Sequence, residues 1–241
     1  MTRARIGVIY PGDGLLDHEF WELAPEGVTV HLTRTPVPPG EITVEEVRRM
    51  AEAPDIEEAA ARCYAIPVDS FTYACTSNSF VRGVGGDLEI ARRIERARGV
   101  PATTTSTAMV RALRALGATR VAVAAPYADD VNVTLVSFLE GHGFRVLGLS
   151  GMQLRSGIGL VPLEEVRAFA RAAHRPGAEA LFVACTNFAT VGMLDSLERE
   201  LGIPVLSANQ VSMWDALRLA GVPPVKEGCG TLYRLAAAAP A

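Results

Sequence analysis

This chain has almost no lysine. Of its 23 basic side chains only Lys226 is one, and it sits in Pro223-Pro224-Val225-Lys226-Glu227-Gly228, a stretch that reads as a loop. Schiff-base chemistry, including that of pyridoxal phosphate, would rest on that residue alone, and no phosphate-cradling P-loop carries it. Basic runs are also missing, as is any interleaving of aromatic and basic residues. With a net charge of −4, this argues against a nucleic-acid partner. No apolar stretch approaches the ~20 residues of a membrane span. Met1–Arg5 runs directly into Ile6-Gly7-Val8-Ile9, too short a run for a signal peptide's apolar region and without a small-residue cleavage site after it. The expectation is a cytoplasmic protein. Cysteine is sparse: Cys63, Cys75, Cys185 and Cys229 lie far apart with no C-x-x-C, which disfavours a zinc site or a disulfide framework. Gly83-Val84-Gly85-Gly86 lacks the spacing of a dinucleotide fingerprint and does not directly follow a strand. No metal and no cofactor is expected.

What is present is a duplicated pattern. Of the 241 residues 49% are hydrophobic, ample for a sizeable core. Strand-length apolar runs at Arg5–Tyr10, Thr29–Arg34, Ser70–Ala74, Ala102–Thr104, Arg120–Ala125, Arg145–Leu149, Ala180–Ala184 and Val205–Ser207 alternate with stretches of helical period. The latter are Val44–Arg49, Ile56–Cys63, Gly86–Ala97, Ser106–Leu116, Asp129–Gly141, Pro162–Ala173, Phe188–Leu201 and Gln210–Ala220. Such alternation predicts parallel sheets covered by helices. Phe71-Thr72-Tyr73-Ala74-Cys75-Thr76-Ser77-Asn78 is echoed by Leu181-Phe182-Val183-Ala184-Cys185-Thr186-Asn187-Phe188. Gly99-Val100-Pro101-Ala102 is echoed by Gly202-Ile203-Pro204-Val205, and Ile6–Tyr10 ending at Pro11 by Val121–Ala125 ending at Pro126. Met109–Leu113 is likewise echoed by Met213–Leu217. The order is preserved, so the fold class is α/β, two Rossmann-like parallel-sheet halves related by a pseudo-two-fold axis. The expected division is 1–112 plus 208–241 for the first half and 113–207 for the second. Ligands of open parallel sheets bind beyond the carboxyl ends of strands. Pro11, Cys75, Pro126 and Cys185 fall at such ends and are expected to meet in a cleft between the halves.

A buried cysteine is usually a small hydrophobe. Two at the same point of a repeat suggest thiols facing one site. Both precede a predicted helix, whose unpaired N–H groups would favour thiolate. Those N–H groups, the hydroxyls of Thr76, Ser77 and Thr186 and the amide of Asn187 would cradle a carboxylate. One thiolate and one thiol suit either 1,1-proton transfer beside a carboxylate or addition to an activated alkene with rotation and elimination. Tyr127 is placed to bond a carboxylate or enolate, or to be an ordinary half-buried tyrosine. Cys63 and Cys229 read as structural. Asp13, Asp17, Asp129 and Asp130 read as helix caps and first-turn acids. His18, His31, His142 and His174 lie in unrelated contexts, giving little support to a Cys–His dyad. Arg155 and Ser156 sit in a glycine-flanked loop, a surface loop or a flap over the cleft.

The chain resembles the maleate cis-trans isomerase and arylmalonate decarboxylase group of the aspartate/glutamate racemase superfamily. The resemblance rests on Ile6–Pro11, Tyr73–Ser77, Pro126-Tyr127 with Val131-Asn132, Gly157-Ile158-Gly159 and Cys185-Thr186-Asn187. It implies cofactor-independent catalysis on a small carboxylate in the cleft, with Cys75 as nucleophile, Cys185 as proton donor and Tyr127 beside the substrate; an α/β enzyme of this size is commonly a symmetric homo-oligomer, and a homo-oligomer is expected here. Pro11, Thr76, Ser77, Thr186 and Asn187 would contact it. The group's decarboxylases carry glycine at the first cysteine position, so Cys75 favours isomerase or racemase chemistry. One departure stands out. Maleate isomerases have Pro-Ser-Ser-Asn in the first loop, whereas this chain has Pro11-Gly12-Asp13-Gly14. Gly14 lacks the substrate-contacting amide and Asp13 adds a negative charge. Decarboxylation, racemisation and a non-catalytic carboxylate-binding protein remain the alternatives.

Overall fold

The structure is a computed structural model and describes residues 3–238. In chain order the first half contains β1 (Ala4–Pro11), α1 (Asp17–Leu23), β2 (Val28–Thr35), α2 (Val44–Glu52), α3 (Asp55–Ala61), β3 (Ser70–Tyr73), α4 (Thr76–Phe80), α5 (Gly86–Arg98), β4 (Ala102–Thr104) and α6 (Thr105–Ala115). The second contains β5 (Arg120–Tyr127), α7 (Asp129–Gly141), β6 (Arg145–Leu154), α8 (Leu163–Ala173), β7 (Ala180–Val183), α9 (Leu194–Leu201) and β8 (Val205–Ser207), followed by α10 (Ala208–Leu219) and α11 (Gly230–Ala238).

The sheets run β2-β1-β3-β4 and β6-β5-β7-β8, every pairing parallel. Their registers correspond. Ile9 pairs with Tyr73 in the first sheet as Ala124 pairs with Val183 in the second. Counting along the strands makes Pro11 equivalent to Pro126 and Cys75 to Cys185, so the repeat in sequence is a repeat in space. Helices cover both faces of each sheet, which is why the central strands read as unbroken apolar runs: Val121–Ala125 are all fully buried.

The halves are joined by equivalent helices. α6 and α10 each leave the fourth strand of a sheet through a hydroxyl cap. Thr104 Oγ1 accepts from the Thr107 amide, and Ser207 forms a capping box with Gln210. The two helices pack on each other. Thr105 and Ser212 exchange a 2.8 Å hydroxyl bond, and buried Asp215 accepts from Thr103 and Arg111, both at 2.6 Å. α10 also packs against β1, β3 and β4 of the first half, whereas α11 lies on α9 and β8. Among the described residues no helix is long and apolar enough to cross a membrane.

The element boundaries differ from the sequence reading in one informative place. The helix expected over Phe188–Leu201 begins only at Leu194, after a single 3₁₀ turn at Val191–Met193. The amides of Thr190 and Val191 donate to Glu19 instead of entering a helix.

Candidate active site

The carboxyl ends of β1, β3, β5 and β7 open on one cavity of about 510 Å³ between the halves. Pro11, Cys75, Thr76, Ser77, Tyr127, Cys185, Thr186 and Asn187 all line it. None of the four histidines does, nor do Cys63, Cys229 or Lys226, whose ammonium donates to the Ala24 carbonyl.

The two cysteines reach the cavity by different backbone routes. Cys75 is extended and caps α4 (φ −143°). Cys185 takes φ +84°, the left-handed region that costs a non-glycine residue about 1–3 kcal/mol and persists only where the surroundings impose it. Each thiol has a tyrosine beside it. The Cys75 thiol lies against the Tyr73 hydroxyl, with the Ser77 hydroxyl at 4.0 Å. The Cys185 thiol lies against the Tyr127 hydroxyl and accepts the Asn187 amide at 3.4 Å. Thr76 Oγ1, buried in the lining, has no hydrogen-bond partner of good geometry.

The expectation that helix ends favour thiolate is corrected here. Burial, aided by the Asp13 carboxylate, pushes the Cys75 thiol up to about 11; burial, aided by Cys75 and Asp13, pushes the Cys185 thiol up to about 12. The local N–H donors act in the opposite direction but are outweighed. Cys185 moreover precedes no helix. Both sulfurs are protonated at neutral pH. Burial likewise raises Tyr127 and Tyr73 well above the ordinary phenol range, so both are hydroxyl donors.

The Cys185 segment is fixed by residues far away in sequence. Buried Glu19 accepts the amides of Thr190 and of Val191 (2.9 Å), the Thr190 hydroxyl (3.2 Å) and Asn209 Nδ2 (2.7 Å). Asn209 Nδ2 also donates to the Thr186 carbonyl at 3.0 Å, where the Tyr10 hydroxyl donates at 2.8 Å. Three donors and acceptors from the first half and α10 thus hold the strained turn. Asn187 departs from its expected role. Its Oδ1 accepts the Leu15 amide at 2.9 Å and its Nδ2 donates to the Asp13 carbonyl at 3.1 Å, so the amide braces the first loop.

Sequence reasoning missed several residues of the cavity wall and, in Tyr73, one buried directly behind it. Tyr73 stands two residues before Cys75, which strand alternation places on the same face. Tyr10 occupies the site beside Gly14: a Cβ there would approach the Tyr10 ring to 2.4 Å, so the asparagine of the maleate pattern has no room. Val37, Pro38, Pro39, Ile42, Val47 and Met50 form an apolar wall that no local motif announces. Next to Ile42 of this wall, Arg155–Ile158 also line the cavity. The Ile42 amide donates to the Arg155 carbonyl at 2.7 Å and the Arg155 guanidinium donates back to the Ile42 carbonyl at 3.2 Å. The glycine-flanked loop is therefore clasped to the first half. Asp129 and Asp130 are first-turn acids of α7, and Asp130 ties Arg155 at 3.1 Å.

Comparison with known proteins agrees with this architecture. The family described as arylmalonate decarboxylase matches residues 44–233. The chain is 39% identical over 153 residues to arylmalonate decarboxylase of Bordetella bronchiseptica, an alignment covering 61% of this chain and 62% of that protein. It therefore spans just under two thirds of that relative's length. It is 31% identical over 170 residues to maleate isomerase of Nocardia farcinica, covering 67% and 68% respectively. A crystal structure of a double mutant of arylmalonate decarboxylase in a liganded form superposes with a TM-score of 0.86 at 29% identity, over 95% of this chain and 98% of that one.

Proposed function

This chain belongs to the arylmalonate decarboxylase family, and from that premise we propose that it is a cofactor-independent isomerase working with two cysteines on a small carboxylate, in the manner of a maleate cis-trans isomerase. The observation that carries the proposal is the pair of buried thiols brought from equivalent strand ends to one cavity.

Cys75 serves as the nucleophile and Cys185 as the acid. Cys75 first gives its proton to water. With a pKa of about 11, about one molecule in ten thousand carries the thiolate at pH 7, a cost of about 5 kcal/mol. The sulfur adds to one alkene carbon, the π bond opens, and the adjacent carbon takes the proton of Cys185. Rotation about the new single bond follows. Cys185 recovers the proton, the carbon–sulfur bond breaks and the other geometric isomer leaves. Thr76, Ser77 and Tyr127 offer hydroxyl donors to the carboxylate on which negative charge gathers, while Pro11 and Thr186 shape its surroundings. Asn187 acts through the first loop that it braces.

The apolar wall favours a second reading. A cavity with Val37, Pro38, Ile42, Val47 and Met50 along one side fits a 2-substituted acid, whose α-proton two opposed thiols would exchange between faces. Decarboxylation of a related diacid belongs to the same reading.

Proton NMR in deuterated buffer tests both. Fumarate formed from maleate, and absent with Cys75→Ala, supports isomerisation. Deuterium entering only the α-carbon of a 2-substituted acid, again lost with either cysteine, replaces it by racemisation. Retention of either activity in Cys75→Ala refutes the nucleophile assignment.

A further inference from the structure

The charges around the cavity do not suit a dianion. Among the described residues the lining carries three carboxylates, Asp13, Glu41 and Glu46, and one guanidinium, that of Arg155. That guanidinium is engaged with Asp130 at 3.1 Å, with the Ile42 carbonyl at 3.2 Å and with Glu41 at 3.9 Å. Glu46 is paired with Arg49. The nearest cation to the first loop is Arg34. It grips both oxygens of Asp17 at 2.5 and 2.6 Å and the carbonyls of Pro11 and Gly14 at 2.9 and 3.2 Å. Asp13 itself makes no ion pair among the described residues and no side-chain hydrogen bond to another residue. Its backbone is pinned by Asn187, and its carboxylate influences both catalytic sulfurs.

We propose that Asp13 is a specificity-determining residue that weakens the binding of substrates with a second carboxylate, so that this cavity prefers a small monocarboxylate whose other substituent is uncharged over a dicarboxylate of the same shape. The inference rests on the reading of this cavity as the substrate site, and it narrows that reading by charge. Two features of the structure agree. One end of the cavity supplies hydroxyl donors for a single carboxylate, at Thr76, Ser77 and Tyr127. Much of the remaining wall is apolar, from Val37 to Met50, and of the charged groups beside it Glu41, Glu46 and Arg155 have charged partners while Asp13 makes no ion pair among the described residues. A carboxylate placed there would meet a like charge in a partly water-excluded space. Coulomb repulsion at ~8 Å and an effective dielectric of ~20 weakens binding about thirtyfold. The asparagine that contacts substrate in the maleate pattern is replaced by Gly14, and the Tyr10 ring fills its space. No compensating donor therefore offsets the repulsion.

The test is binding, measured by isothermal titration calorimetry at pH 7.5 with two probes of the same cis-alkene shape. Maleate carries two charges and (Z)-but-2-enoate one. Wild-type protein is compared with Asp13→Asn, which keeps the side-chain size and removes the charge. The expected result is that maleate binds the variant about thirtyfold more tightly than wild type while (Z)-but-2-enoate changes less than twofold. Equal maleate affinity in the two proteins overturns the proposal, as does an equal gain for both probes, which would mean a change of shape instead of charge. Absence of maleate binding to both proteins also overturns it. The isomerase reading fails separately, by the NMR result with Cys75→Ala, whatever the calorimetry gives.

Discussion

Replacing Glu19 by glutamine should disable Cys185 without touching it. Glu19 comes from α1 of the first half, is 3% exposed, and holds a turn some 170 residues further along the chain. One carboxylate oxygen accepts the Thr190 and Val191 amides; the other accepts the Thr190 hydroxyl and Asn209 Nδ2. Glutamine preserves the shape but presents an NH2 group on one side. With the amide oxygen kept toward the two backbone donors, the NH2 group faces Asn209 Nδ2, a donor against a donor. Asn209 then turns away or shifts, and the Thr186 carbonyl loses one of its two partners. Hydrogen bonds to a charged group contribute about 1.5–3 kcal/mol each. Losing one and weakening the others from charged to neutral amounts to about 2–4 kcal/mol, or roughly 4–16 °C in Tm for a domain of this size. The strain at Cys185, with its φ of +84°, is then no longer fully opposed. The readout that separates positioning from plain stability is residue-resolved alkylation by iodoacetamide, followed by mass spectrometry at a temperature where both proteins are folded. The Cys185 rate should change at least threefold while the Cys75 rate stays constant, and kcat should fall with little change in KM. A Gln variant with lower Tm but an unchanged ratio of the two alkylation rates would refute the reasoning.

The remaining predictions concern the thiols, the first loop and the joint between the halves. Cys75→Ser and Cys185→Ser should each lower turnover at least a hundredfold, since a hydroxyl is a far weaker nucleophile and acid at neutral pH; steady-state rates check this. Alkylation of both cysteines should keep accelerating from pH 7 to beyond 10, because burial holds the thiols at about 11 and 12; a plateau by pH 9 contradicts the burial argument. The same shifts carry a stability sign. Between about 9, where unfolded thiols ionise, and 11–12, the native state holds more protons than the unfolded one, so urea midpoints should fall as pH rises through that window. Gly14→Ala should destabilise by about 1–3 kcal/mol in urea unfolding, because the added carbon meets the Tyr10 ring at 2.4 Å. Asp215→Ala should cost about 1–3 kcal/mol, since Thr103 loses its short hydrogen bond at the contact between α6 and α10 while the half-exposed Arg111 guanidinium is left to water; equilibrium unfolding reads this directly.

The chain's own order of residues carried the architecture and half of the site. Strands buried on both faces leave continuous apolar runs, and a duplicated half leaves its echoes at matching intervals. Ile6–Pro11 with Val121–Pro126, and the two Ala-Cys-Thr segments, therefore announced two sheets of equal order and two thiols at equivalent strand ends. These are local signals: each is written in consecutive residues, and period and repetition suffice to read them. The chemistry of the thiols was not local. Helix-end geometry suggested thiolate, but the ionisation of Cys75 and Cys185 is set by how completely the other half of the molecule excludes water from them. The amide of Asn187 looked free for substrate and is engaged by Leu15 and Asp13, more than 170 residues away. Glu19 and the apolar wall from Val37 to Met50 belong to stretches with no motif, and Tyr10 reads only as the end of a strand; all acquire their roles when the two halves close on each other. Sequence determined which groups this protein possesses and at which strand ends they stand; tertiary structure decided which of them carry charge and which are already bonded, because both depend on neighbours brought together by folding.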